Sequence, residues 1–260
     1  MGVEYHPELR VILISPLISQ DPSSMRIWDI HPGYLNRQSL LGEHRELHGL
    51  VNILTQGKKG YSRHPETLRW VGYGWALKQR HALLAAEMAL RSYQDQSPVR
   101  TRSAKEQWPT IFIDTPRQQF HLLHDKYQHK APGRIPLPQN AQQLWGHHKY
   151  SLLARDPNRY KTLGREVAKM NPRDDFESLA LELTLALRNT PSVGGLTNAL
   201  LHMWGYVSKE SQVQSKKIQH WSLKKLLTEI QGLALATGQI YLLHSTALSE
   251  FKVFIGNPKT

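Results

Sequence analysis

The chain has 260 residues, no cysteine, and a formal net charge of +12 at pH 7. The lack of cysteine excludes disulfides, zinc–thiolate sites, iron–sulfur clusters and cysteine nucleophiles. A hydrophobic content of 40% predicts a folded protein. The excess of Lys and Arg indicates a nucleic-acid partner, because a phosphate backbone binds cations with release of its counterions.

No apolar run approaches the roughly 18 residues that a membrane span requires. The apolar stretch 11–18 is interrupted by Pro16 and preceded by Glu4 and Glu8, which is atypical of a signal peptide. We therefore expect no membrane partner and a cytoplasmic, nucleoid-associated location.

The first predicted unit begins at Met25, because residues 20–24 are typical of a turn. Apolar residues at helical spacing predict a helix from Asn36 to Leu54, with Asn36 or Ser39 as its N-cap. A basic loop at 56–60 ends this helix. A second helix is predicted at 75–93.

Prolines are frequent between residues 95 and 140, which predicts an irregular segment with one short strand at Thr110–Ile113. Further helices are predicted at 139–154, 159–170, 174–188, 194–207, 216–230 and 241–251. The predicted fold class is all-α or nearly so, with a compact helical unit followed by a helical C-terminal unit.

Two histidines in the first predicted helix, His44 and His48, share one helix face. A zinc protease would need Glu directly after the first histidine, where this chain has Arg45. We therefore expect no metal site, and we interpret the histidines as packing residues or phosphate contacts. His121 and His124, another short-spaced pair, are expected to be structural.

Glu46 is the candidate catalytic residue of this helix, and it is bordered by Gly42 and Gly49. Glycine inside a helix costs about 0.5–1 kcal/mol relative to alanine. Either close helix packing offsets this cost, or bare backbone lets a substrate approach Glu46. In the second case Arg45 would hold a phosphate while the carboxylate stabilises a developing cation on a sugar.

The loop at 58–65 mixes cations with an aromatic residue, a pattern that suits phosphate contacts beside a stacking side chain. A solvated surface loop is the alternative. We predict DNA contacts for Lys58, Lys59, Arg63 and His64.

Several motifs together resemble the pyrimidine-dimer DNA glycosylase family. They are MRIWDIHP at 25–32, GEHREL at 42–47, and the segments 57–65 and 78–88. Residues 133–164 are similar to the C-terminal part of that family, so the resemblance covers roughly 25–165.

The resemblance implies a mechanism in which the α-amine of Met25 attacks C1′ of a damaged nucleotide, with Glu46 as the catalytic carboxylate. An α-amine suits this step because its pKa is about 7.7–8.0, against about 10.4 for lysine. Arg26 and Arg45 would bind phosphates, and Tyr160 and Lys161 would contact DNA. The implied partner is double-stranded DNA with damaged bases, and no cofactor is implied.

A second resemblance covers about 144–255, where HHKYSLLA at 147–154 and NALLHMWGY at 198–206 are similar to a YbgA-like domain of unknown function. Some relatives join that domain to a cysteine-ligated iron–sulfur unit that desulfurises thiouracil. That activity does not carry over to a chain without cysteine.

The predicted layout therefore has three parts: residues 1–24, an extension or a mis-assigned start; 25–165, the glycosylase-like domain; and 166–260, the YbgA-like helical domain. The predicted function is a DNA-repair glycosylase/AP lyase that acts on damaged pyrimidines through a terminal-amine imine. Two alternatives stay open. One is a non-catalytic binder of damaged or structured nucleic acid, and the other is a protein that handles a modified base through its YbgA-like domain.

Overall fold

A computed structural model describes residues 25–101, 105–211, 218 and 220–255. These residues form eleven α-helices and no strand, which confirms the predicted all-α class. None of the described helices has the length and apolar character needed to cross a membrane. The helices are α1 (Arg37–Gln56), α2 (Pro65–Arg69), α3 (Gly74–Leu90), α4 (Pro116–Tyr127), α5 (Ala141–Leu153), α6 (Pro157–Lys169), α7 (Glu177–Leu187), α8 (Val193–Trp204), α9 (Leu223–Thr237), α10 (Ile240–Leu243) and α11 (Ala247–Phe254).

Helix α1 begins and ends on local signals. Asn36 is its N-cap, and the Asn36 side chain accepts a hydrogen bond of 2.9 Å from the backbone N–H of Ser39. At the other end Gly57 adopts a φ of 65°, which favours glycine, and donates its N–H to the Ile53 carbonyl. The predicted helix and the Asn36 cap are confirmed.

The segment between α3 and α5 differs from its prediction. The expected strand at Thr110–Ile113 is wrong, because this stretch has no strand partner and instead buries the Phe112 ring in an irregular loop. Helix α4 follows it, opened by a capping box in which the side chains of Thr115 and Gln118 each accept the other's backbone N–H.

Two C-terminal predictions also need correction. The helix predicted at 216–230 is interrupted at 220–222, which are not helical, and α9 runs from Leu223 to Thr237. Residue 218 is helical, and residues 212–217 and 219 lie outside the described part. The helix predicted at 241–251 is divided into α10 and α11, because the backbone turns at His244–Thr246.

The helices pack around two hydrophobic clusters. The first runs in sequence from Ile27 to Leu183 and joins α1, α3, α4, α5, α6 and α7. The second joins α8, α9 and α11 with Leu90 of α3 and Tyr150 of α5. Helices α3 and α5 contribute to both clusters, so the clusters do not divide the chain at one residue. The domain boundary predicted near residue 165 stays a prediction.

Buried ion pairs hold these two clusters together. Glu87 of α3 pairs with Arg91 and with Arg134, each at 2.7 Å, and Arg134 also donates to the Ser245 carbonyl at 3.2 Å. Near the end of α5, Arg155 pairs with Glu250 of α11 at 2.9 Å. The C-terminal helices therefore support α3, which packs directly against α1.

Candidate active site and nucleic-acid interface

The half-buried Glu46 side chain reaches from α1 to the first described residues. Its Oε2 accepts the backbone N–H of Arg26 at 2.8 Å. Met25 packs against the first hydrophobic cluster. The Glu46 carboxylate therefore contacts the backbone at the residue that directly follows Met25.

A second carboxylate, Glu43, lies one turn earlier on α1 and is fully buried. Arg80 of α3 contacts both of its oxygens, with Nε to Oε1 at 2.6 Å and Nη2 to Oε2 at 2.8 Å. Glu43 also accepts the N–H of Trp28, and Arg80 donates to the Ile30 carbonyl at 2.7 Å. Glu43 and Glu46 together hold residues 26–30 against α1.

Glu43 and Arg80 were not among the site residues predicted from the sequence. The available signal was the three-residue spacing of two glutamates on one helix face. No local sequence pattern indicated Arg80, because its partners lie 37 and 50 residues away in the chain.

Burial controls the protonation of both carboxyl groups. Desolvation raises the pKa of Glu46, while the Arg26 N–H and the charges of Lys126 and Arg45 oppose the rise. Burial raises the pKa of Glu43 to about 7 against the opposing effect of the Arg80 guanidinium. Burial also lowers the pKa of Lys126, a residue of α4 that the sequence analysis did not single out.

The predicted phosphate-binding residue Arg26 has a partner within the chain. Its guanidinium forms an ion pair with Asp114 and lies 4.7 Å from the centroid of the Trp28 ring. Burial lowers the pKa of Arg26. A phosphate would have to replace Asp114 to engage this side chain.

The other predicted cations near Glu46 are exposed. Arg45 donates to the Leu41 carbonyl of its own helix, at 3.3 Å. The exposed side chains beyond the end of α1 are Lys58, Lys59, Tyr61 and Arg63, with Tyr61 61% exposed. The 3₁₀ turn at Gly60–Arg63 packs against α1, so the loop and the helix share one surface.

His64 and the α6 residues have different surroundings. His64 caps α2, since its Nδ1 accepts the Glu66 N–H at 3.2 Å. Tyr160 packs against Trp145, with ring centroids 5.4 Å apart, and Lys161 is exposed on α6. Among the described residues, neither Tyr160 nor Lys161 has a hydrogen bond or ion pair with Glu46.

The two glycines beside Glu46 border open space. A Cβ atom built on Gly42 or Gly49 would meet no heavy atom within 4 Å. The close-packing interpretation is therefore wrong at these positions, because no described helix approaches them. Within the described part of the chain, the surface of α1 at these two glycines is open.

On another face of α1, His44 and His48 meet His81 of α3 and Asp95. One candidate ligand atom from each lies within 4.8 Å of those of the other three. Burial lowers the pKa of His81 to about 4, so this ring is neutral at pH 7. No metal site was predicted from the sequence, because the α1 pair lacks the adjacent Glu of a zinc protease. His81 and Asp95 come from elsewhere in the chain.

The fold and the site define an all-α protein with a half-buried carboxylate beside residues 25–26 and an exposed cationic surface on the same helix and the loop that follows it. Residues 25–101 match the family model described as pyrimidine dimer DNA glycosylase. Residues 149–251 match the model described as a protein of unknown function, DUF1722. Both suspected resemblances are confirmed over these two segments, in their predicted order. No curated protein and no solved structure matches the chain.

The glycosylase match supports, in coarse terms, a DNA-repair glycosylase with a DNA substrate. It contains the candidate residues from Met25 to His64 and ends at residue 101. Tyr160 and Lys161 lie within the second match instead. Their predicted DNA contacts, and the resemblance of 133–164 to the glycosylases, therefore stay predictions.

Proposed function

We propose that the protein is a DNA glycosylase/AP lyase that acts on damaged pyrimidines, with the α-amine of Met25 as nucleophile and Glu46 as catalytic carboxylate. The observation that carries the proposal is the 2.8 Å hydrogen bond from the Arg26 N–H to Glu46 Oε2. It supports a carboxylate adjacent to a nucleophile at residue 25, within the segment that matches the glycosylase family.

In the proposed reaction, the neutral amine forms a bond to C1′ of the damaged nucleotide as the bond from C1′ to the base breaks. The base leaves with the bonding electrons and takes up a proton. Loss of a proton from the nitrogen and opening of the sugar ring then give an imine. Removal of a C2′ proton expels the 3′ phosphate by elimination, which nicks the strand, and hydrolysis of the imine frees the amine.

Glu46 would act where positive charge develops, on the sugar and on the attacking nitrogen. Its half-burial reduces solvent screening, so an ionised carboxylate there stabilises the cation more than an exposed one would. The open surface at Gly42 and Gly49 leaves room for the extruded nucleotide.

The mechanism requires a free amine at residue 25. In a chain that includes residues 1–24, the Met25 nitrogen belongs to a peptide bond, and an amide cannot form an imine. We therefore propose that the active form begins at Met25, through its translation start or through processing. A chain that keeps residues 1–24, with an amide at this position, would be a non-catalytic binder of damaged DNA, which is the second candidate function.

The experiment that tests the proposed function is strand nicking by a chain that begins at Met25. Duplexes carrying a pyrimidine dimer, an abasic site or no damage are compared. We expect nicking of the two damaged duplexes and none of the undamaged duplex. Duplex binding without nicking of either damaged substrate would favour the second candidate.

The exposed cations Arg45, Lys58, Lys59 and Arg63 would bind DNA phosphates. Arg45 lies twelve residues before Gly57, about 18 Å along the helix axis. This length spans several phosphates of one strand. The exposed Tyr61 ring adds a surface on which a base can stack.

Lys58→Ala/Lys59→Ala is expected to weaken duplex binding and to reduce the slope of log affinity against log salt by about 2, because each phosphate contact contributes about 0.9. Fluorescence anisotropy across a salt series measures both quantities. Lys224→Ala, which removes one exposed cation of α9, is the control. An unchanged slope in the double variant would remove this loop from the DNA interface.

A further inference from the structure

Three histidines and one aspartate meet on the face of α1 that points away from Glu46. His44 and His48 lie on α1, His81 lies on α3, and Asp95 follows the end of α3. At about 100° per residue, the centre of the His44–His48 face lies roughly 180° around the helix from Glu46. The cluster is therefore separate from the candidate active site.

The aspartate lies close to two of the imidazole rings. His44 Nε2 is 3.2 Å from Asp95 Oδ1, and His81 Nε2 is 3.5 Å from Asp95 Oδ2. A tetrahedral ion with metal–ligand distances of about 2.0–2.1 Å separates its ligand atoms by about 3.3 Å. Both measured distances are close to that value.

The three rings also pack against one another. The ring centroids of His44 and His48 are 4.7 Å apart, those of His48 and His81 4.9 Å, and those of His44 and His81 5.1 Å. The candidate ligand atoms all lie within 4.8 Å of one another. Modest ring rotations would bring all four donors to the distances of one ion.

Two of the nitrogens lack hydrogen bonds. The Nε2 atoms of His48 and His81 are buried and have no hydrogen-bond partner among the described residues. His81 Nε2 has the Asp95 carboxylate nearby, at 3.5 Å, but makes no hydrogen bond with it. A buried nitrogen without a hydrogen bond is unfavourable, and a metal ion supplies the missing interaction. The Asp95 carboxylate is held in turn by the N–H of Ser97 at 3.0 Å, as an outer-shell contact would hold a ligand.

We propose that His44, His48, His81 and Asp95 form a binding site for one divalent transition-metal ion, with Zn²⁺ as the best fit. Imidazole nitrogen and carboxylate oxygen are ligands that Zn²⁺ accepts in tetrahedral geometry. Since four protein ligands complete a tetrahedral shell, the ion has a structural role. It would fasten α1 to α3 and to the segment that follows α3.

The test uses the purified full chain, stripped of metal with a chelator and then equilibrated with Zn²⁺ or Co²⁺. We expect one tightly bound ion per chain by elemental analysis, and a visible absorption spectrum of tetrahedral Co²⁺. Added Zn²⁺ should also raise the melting temperature, because an ion that binds only the folded state stabilises it. This proposal does not depend on the proposed function, and its readouts require no DNA.

His48→Gln/His81→Gln is expected to weaken Zn²⁺ binding by a factor of about 100 or more and to abolish the Zn²⁺-dependent rise in melting temperature. His121→Gln/His124→Gln, a pair of exposed histidines on α4, is the matched control and should bind Zn²⁺ as the wild type does. Asp95→Asn tests the same site without altering a core side chain. The visible absorption of Co²⁺ bound to the Asp95→Asn variant should lose intensity.

Wild-type protein that binds no more Zn²⁺ than the His48→Gln/His81→Gln variant would overturn the proposal. An equal loss of Zn²⁺ binding in the His121→Gln/His124→Gln control would also overturn it. If the double variant of the cluster does not fold, the Asp95→Asn variant decides: unchanged Zn²⁺ affinity and an unchanged Co²⁺ spectrum would exclude the site.

Discussion

Glu46→Gln is expected to lower the rate of strand nicking by a factor of about 10²–10³, the usual cost of removing one group that stabilises a charged transition state. The Gln side chain keeps the size of Glu and can still accept the Arg26 N–H, so residues 25–30 should stay in position. Duplex affinity should change little, because the proposed DNA contacts are the exposed cations and not Glu46. The measurement is single-turnover nicking of a dimer-containing duplex, together with binding by anisotropy.

Glu177→Gln is the matched control for this change, since it removes one carboxylate from an exposed position on α7. We expect wild-type nicking from it. Wild-type nicking by the Glu46→Gln variant would show that Glu46 serves only to hold the backbone of Arg26. Loss of binding in parallel with nicking would show that the substitution disturbs the fold or the DNA interface.

Arg80→Met is expected to lower the free energy of unfolding by about 3–5 kcal/mol at pH 8, the largest stability effect among these predictions. It leaves the Glu43 carboxyl group buried without a counter-ion, so the group either stays charged at a desolvation cost or takes up a proton on folding. It also removes the hydrogen bond to the Ile30 carbonyl. Urea unfolding, followed by circular dichroism, measures the loss. Arg165→Met, at an exposed position on α6, is the control and should stay within about 0.5 kcal/mol of wild type.

The cost of Arg80→Met should depend on pH in a defined direction. Burial already raises the pKa of Glu43 to about 7, above its value of about 4.3 in an unfolded chain, and loss of Arg80 raises it further. A raised carboxyl pKa gives a folded state that binds the proton more tightly, so stability falls as pH rises from about 4.5 through the folded pKa. The variant should therefore lose less stability at pH 5 than at pH 8. An equal loss of stability at both pH values would contradict the raised pKa of Glu43 and its pairing with Arg80.

Glu43→Gln/Arg80→Met separates the charge from the packing. If the unpaired carboxylate dominates the cost, the double variant should be more stable at pH 8 than Arg80→Met alone. A double variant that is less stable than Arg80→Met would show that lost packing and hydrogen bonds dominate instead.

Local signals explain which parts of the fold could be predicted from the sequence. The start of α1 depends on Asn36 and the backbone of Ser39, three residues away, so the pattern itself contains the cap. The capping box of α4 was equally local, in Thr115 and Gln118, but the proline-rich context concealed it. The strand predicted at Thr110–Ile113 was wrong because the burial of Phe112 there comes from tertiary packing.

The candidate site could be predicted only in part, because its surroundings are set by distant contacts. The motif around Glu46 identified the carboxylate, but no local pattern joins Arg26 to Asp114. The same holds for Asp29, whose partner Arg188 lies 159 residues later in the chain. The roles of Met25 and of the predicted DNA contacts depend on substrate binding, and they stay predictions.

The measurement that tests the central claim most directly is borohydride trapping followed by peptide mapping. Chains that start at Met25 and at Met1 are incubated with a dimer-containing duplex, reduced, digested and analysed by mass spectrometry. We predict a covalent DNA adduct on the α-amine of Met25 in the first chain. The second chain should give no adduct unless residues 1–24 have been removed. An adduct on a lysine side chain, or equal trapping by an intact Met1-start chain, would contradict the terminal-amine mechanism.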